Sequence, residues 1–258
     1  MSNIKYTPYK LIGCLSFVLV LNLIWLGLTN SATAEQKSTQ TKTTTDFGLP
    51  THRRDGGSRG VQDSCVANTA NQNLMALIPE KVVGINAAAS PKLFFYVPKI
   101  KETSTLEFVL RNQKDQLIYE TFLSTEGNGI MSVEIPGDVD SSLLKAGEKY
   151  HWYLSMICNN HQRSRDIVAE GWMHQKNLDQ NLQEKLNNAS SLEKVAIYRQ
   201  QGIWFDALSV LAENLDSETE STMMHQQWSE MLGSVGLENL ASESLIETKL
   251  IENPANSL

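Results

Sequence analysis

Lys149 to Cys158 reads KYHWYLSMIC, followed by the polar run NNHQRSR at 159–165 and by DIVAEGWM at Asp166 to Met173. In the first run Tyr150, Trp152, Leu154, Met156 and Cys158 fall at every second position, the spacing that places side chains on one face of a strand. His151 and Tyr153 share the opposite face. The second run, β-branched at Ile167 and Val168 and closed by Trp172, reads as the antiparallel neighbour. Two large aromatics on one face predict a buried sheet.

The same pattern recurs upstream. Leu93 to Val97, Thr105 to Arg111, Leu117 to Leu123 and Ile130 to Ile135 read as strands, punctuated by Pro98, Asn128-Gly129 and Pro136-Gly137. A further short strand is expected near Val82, between Leu74 and Ile85. Short strands at even spacing predict an antiparallel immunoglobulin-like β-sandwich, similar to fibronectin type III, over residues 61–176.

After Trp172 the period becomes helical. Leu178, Leu182 and Leu186 recur every four residues. Ser190 with Glu193 spells a capping box for a helix through Val195, Ile197 and Tyr198 that stops at Gly202. Trp204, Leu208, Leu211 and Leu215 stripe the next helix; Met224, Trp228, Met231, Leu232 and Val235 stripe another. Tyr198, Gly202, Ala207 and Leu211 are spaced as in the middle of a tetratricopeptide repeat. One such hairpin is expected in a small acidic helical domain at 177–250, with 251–258 as a tail. The fold class is α+β, mainly β.

Charge and the N-terminus set the context. The chain has 258 residues and a formal net charge of −7. From Asp179 to Leu258 thirteen acidic side chains face four basic ones, which argues against nucleic acid or anionic lipid as a partner there. Residues 1–34 read as an export signal: Lys5 and Lys10, an apolar run from Leu11 to Leu28, and Ala32-Thr33-Ala34 as the cleavage site. Removal leaves no stable membrane insertion; the alternative is an uncleaved anchor through Leu11 to Leu28. Residues 35–60 form a polar leader without apolar period.

Cys65 and Cys158 remain after signal removal. In an oxidising compartment an even pair predicts a disulfide, with two free thiols as the alternative. Two thiols alone do not close a zinc site. Such a bridge brings Arg53, Arg54 and Arg59 toward Arg163 and Arg165. Arg59, Arg163 and Arg165 are therefore the candidate anion-binding residues, against a solvated basic edge paired with Asp55, Asp63 and Asp166.

Other motifs carry less. Gly56-Gly57-Ser58-Arg59-Gly60 matches the letters of a serine-hydrolase elbow but lacks the flanking strand and helix that expose the serine. His52, His151, His161, His174 and His225 form no metal-spaced pair, though a ligand site at His151 and Tyr153 is conceivable. Glu170 beside Trp172 is a lone acid without a partner. Trp152, Trp172, Trp204 and Trp228 are assigned to the core rather than to a sugar platform. Asn188-Ala189-Ser190 fits a glycosylation acceptor. No catalytic residue, metal or cofactor is expected.

Taken as a set, several phrases resemble one family. They are Gly57-x-Arg59-Gly60 ahead of Cys65, Pro91-x2-Phe94-x-Tyr96-Val97-Pro98, Lys149-Tyr150-x-Trp152-Tyr153 with Cys158, Glu170-Gly171-Trp172, and Gly202-Ile203-Trp204-x-Asp206-Ala207-Leu208. The family is the exported, mostly cyanobacterial domain of unknown function numbered nine-two-eight. The resemblance implies export and a two-part build, and transfers no activity. The functional expectation is a non-catalytic binding or adaptor module of the cell envelope with a protein partner, its oligomeric state open. The alternatives are an enzyme acting on envelope material and an anionic-ligand or glycan binder using the arginines.

Overall fold

The computed structural model describes residues 65–67, 73–80, 82–137, 143–217 and 221–253. These belong to one compact unit, Gln40–Leu258. The expected signal, the leader, Arg53, Arg54, Arg59 and His52 lie outside the described residues. Among those described, no helix is long and apolar enough to cross a membrane.

The strands are β1 (Met75–Ala76), β2 (Gly84–Asn86), β3 (Lys92–Asn112), β4 (Leu117–Glu134), β5 (Lys149–Ile157), β6 (Ile167–Gln175) and β7 (Lys249–Ile251). They form one open mixed sheet in the order β2-β6-β5-β3-β4-β7, with β1 also on β3. Only the β2–β6 pair is parallel. Between β6 and β7 come α1 (Gln180–Asn187), α2 (Ser191–Gln201), α3 (Trp204–Asn214) and α4 (Ser221–Gly233).

Two long strands replace four expected short ones. Pro98 has no N–H for a ladder, and the pairing steps over it: Val97 faces Gly129 and Lys99 faces Gly127. The register then slips between Lys99 and Ser104. Opposite that slip Gly127 and Asn128 adopt left-handed φ values of 71° and 68°. The Asn128-Gly129 pair that read as a turn therefore lies at a bend within a continuous strand.

That bend sets the architecture. In a straight strand Phe95 and Phe108 would lie about 43 Å apart, yet their ring centroids are 6.4 Å apart. β3 and β4 fold back, and the two halves of one sheet face each other across a shared core. Phe95 meets Trp152 edge-on at 5.4 Å, and Leu106, Phe108, Leu154 and Met156 are fully buried around them. The expected immunoglobulin-like sandwich of two separate antiparallel sheets is thus corrected to a single sheet doubled on itself. β3 and β4 run through both layers, while β5 and β6 extend only the second half.

Gly171 lies against the Trp152 indole, where an added Cβ would collide with the ring. Gly171→Ala is expected to destabilise the fold by about 1–3 kcal/mol through overpacking. A urea midpoint equal to that of the wild type would contradict this contact.

The helices cover the outer face of the first half of β3 and β4. Phe94, Tyr96 and Ile130 pack beneath Leu208, Leu211, Met224 and Trp228, with Phe94 and Trp228 edge-to-face at 6.1 Å. α2 begins with the expected capping box, Ser190 and Glu193 bonding reciprocally, and ends on Gly202 at φ 69°. The Trp204 indole N–H donates to Leu77 O at 2.7 Å, fixing α3 to the sheet.

Candidate functional site

The second half of the sheet keeps its outer face clear of the four helices, and a polar-aromatic cluster occupies it. Because Trp152 and Leu154 point into the core, His151 and Tyr153 point out. The ladders place Arg111, His151 and Trp172 on one rung, and Val109, Tyr153 and Glu170 on the next. β6 turns Ala169, Gly171 and Met173 inward, so Trp172 is half-buried on the outer face rather than in the core.

The contacts are close. The His151 and Trp172 rings stack at 4.5 Å and 11°. Tyr153 Oη lies 2.7 Å from His151 Nδ1, and His151 Nε2 lies 3.2 Å from Glu170 Oε2, off the axis of a full hydrogen bond. Arg111 donates from Nη1 to Asp115 O at 2.8 Å, at the β3–β4 turn. Burial lowers the His151 pKa, opposed by the Glu170 charge. Burial also raises the Tyr153 pKa, helped by Glu170 and Asp115. At neutral pH the imidazole is thus uncharged and the phenol protonated. We assign the tautomer in which Tyr153 donates to Nδ1 and Nε2–H faces Glu170.

Hydroxyl, imidazole and carboxylate in series have the connectivity of a nucleophilic relay. Burial, with the Glu170 and Asp115 charges, raises the Tyr153 pKa, so the phenol keeps its proton at rest and His151 is the adjacent group placed to take it. What the arrangement does is hold planar groups upright in fixed positions.

The other expected residues fall as follows. Cys65 and Cys158 form the disulfide, with Cα atoms 5.2 Å apart. Arg163 and Arg165 lie on one exposed 3-10 turn between β5 and β6. The Arg163 guanidinium bonds the carboxylates of Glu107 and Asp166, the latter at 2.6 Å. Two carboxylates thus face the Arg163 guanidinium. A cleft of about 380 Å³ opens beside the bridge, and its lining includes Glu102 but no histidine. No group of three or more His, Cys, Asp or Glu converges as a metal site requires, among the described residues.

Sequence reading quoted Asp206 within the family phrase and gave it no role. It lies in the first turn of α3, is buried, and its carboxylate accepts the N–H groups of Ala87 at 2.9 Å and Ala88 at 2.8 Å. Beside it, buried Asn86 bonds Gln175, which also donates to Ala88 O. A carboxylate at N3 without a solvated partner in sequence was the available signal.

No curated protein matches the sequence. The sequence model of a Domain of Unknown Function, DUF928, matches residues 54–245. That span takes in the disulfide, both halves of the doubled sheet, the outer-face cluster and all four helices, and the chain belongs to the DUF928 family.

Proposed function

We propose that the protein is an extracytoplasmic, non-catalytic binding module that docks a protein partner on the open face of its sheet. One observation carries this reading: Arg111, Tyr153 and Trp172 stand on two adjacent rungs of the sheet's outer face. Arginine, tyrosine and tryptophan are the residue types enriched at the energetic centres of interfaces. His151, stacked on Trp172 and bonded to Tyr153, fixes their orientation before a partner arrives, which reduces the entropy lost on binding. The disulfide supports an oxidising compartment, in keeping with an export signal at 1–34. The acidic helices lie on another part of the surface and repel anionic lipid and nucleic acid.

The test is capture from envelope extracts by the mature protein, read by mass spectrometry. The wild type is expected to retain one protein reproducibly. An Arg111→Ala, Trp172→Ala variant with unchanged melting is expected to lose it at least about tenfold, as removal of interface anchors does. Equal capture by wild type and variant would end this reading.

A further inference from the structure

His151 is the middle member of a chain of three polar groups on the open face. Its Nδ1 lies 2.7 Å from Tyr153 Oη and its Nε2 3.2 Å from Glu170 Oε2. Its ring stacks on Trp172 at 4.5 Å and 11°. The side chain is 13% exposed, enough for a proton to arrive and too little for the ring to turn away. Charged and titratable groups face it from every neighbouring strand. They are Arg111 on β3 with Asp115 at the turn, Tyr153 and Lys149 on β5, and Glu170 and His174 on β6.

The direction of this chain depends on the charge of the imidazole. In the neutral ring Nδ1 accepts from the Tyr153 hydroxyl and Nε2–H faces Glu170. Toward solvent, Tyr153 then presents an oxygen lone pair. A proton taken from water adds at Nδ1, because Nε2 already carries one. Imidazolium has two donors and no acceptor, so Nδ1–H now donates to Tyr153 Oη and the phenolic hydrogen turns away from His151. Glu170 holds the new charge and Arg111 opposes it. Tyr153 keeps its own proton throughout, since burial, Glu170 and Asp115 raise its pKa. Burial is the largest influence on His151 and lowers its pKa from 6.5, which puts the change on the acid side of neutrality.

The geometry points to His151 as a proton switch of the open face: neutral, it lets the docking pattern stand; protonated, it reverses the Tyr153 hydroxyl and releases the partner. A partner donor matched to the Tyr153 oxygen then meets a hydrogen, and Arg111 gains a second cation beside it. Release rests on the docking reading above. The reversal itself is a property of the free protein and is measured without a partner.

An imidazolium quenches the emission of an indole stacked on it, so Trp172 reports the proton. On acidification the tryptophan emission of the mature protein is expected to fall in a step with its midpoint below 6.5. His151→Gln and Trp172→Phe remove that step, and Glu170→Gln, which takes away the charge favouring imidazolium, moves it further down. Infrared difference spectra across the step are expected to show a shifted tyrosine C–O stretch that Tyr153→Phe abolishes. This second readout decides the reversal even where a His151 or Trp172 variant fails to fold. The same emission profile in wild type and both variants, or a tyrosine band that does not shift, would overturn the switch. If only the neutral form docks, capture from envelope extract by the wild type weakens about tenfold one pH unit below the midpoint. Capture that stays constant through the midpoint, with both spectral changes present, overturns the inference and leaves the docking reading standing. Equal capture at neutral pH by the wild type and the Arg111→Ala, Trp172→Ala variant strikes the docking reading and with it the release, while the spectra still decide the reversal.

Discussion

Replacing Cys65 and Cys158 together by serine is expected to lower folding stability by about 4.7 kcal/mol, the chain-entropy value for a loop of this length. The bridge spans 93 positions and ties the first described segment to the end of β5. Without it, that segment is held mainly by Lys101 N–H to Cys65 O and Ala67 N–H to Lys99 O, both 2.9 Å, and by the single bridge of Val66 to Ile100. Against a typical total of about 5–15 kcal/mol the loss is a third or more. Urea unfolding of the oxidised wild type and the double serine variant measures it. A difference below about 1 kcal/mol would mean that the unfolded chain is little constrained by the bridge.

Asp206→Ala is expected to destabilise the protein by about 2–4 kcal/mol at neutral pH, because the part-buried N–H groups of Ala87 and Ala88 lose the buried carboxylate that accepts them. The acid also carries a pH signature. Burial raises its pKa from 3.8 to about 6, against the pull of those two N–H groups. A folded pKa above the unfolded one means that the folded state holds the proton more tightly. This contribution is full below about pH 4 and is lost as pH rises through about 6. Measured against Asp206→Asn, which has no such proton, the wild type should therefore gain stability from pH 7 to pH 4, by up to about 3 kcal/mol. A difference that stays flat across that range would remove Asp206 as a titrating buried acid.

Local signals were readable from the sequence, and pairings between distant segments were not. The capping box at Ser190, the stop at Gly202 and the outward phase of His151 and Tyr153 each depend on residues a few positions apart. The disulfide was legible because few cysteines leave few choices. Trp172 was misplaced because its phase is set by a neighbour: Trp152 needs the space over Gly171, and that forces the next residue outward. The same holds for the doubled sheet. Proline and Gly-Asn-Gly ordinarily end strands, and only the partner strand's matching irregularity lets both continue. Arg111 and Asp115 joined the candidate site through register alone.

The folding-back of β3 and β4 has a consequence for how the molecule comes apart. Each of these strands contributes to both layers, pairing with the other within each half, and side chains from both halves share one core. Loosening one wall uncovers the apolar side chains of the other, since both line the same core. The two walls are therefore expected to be lost together on unfolding, as one cooperative unit.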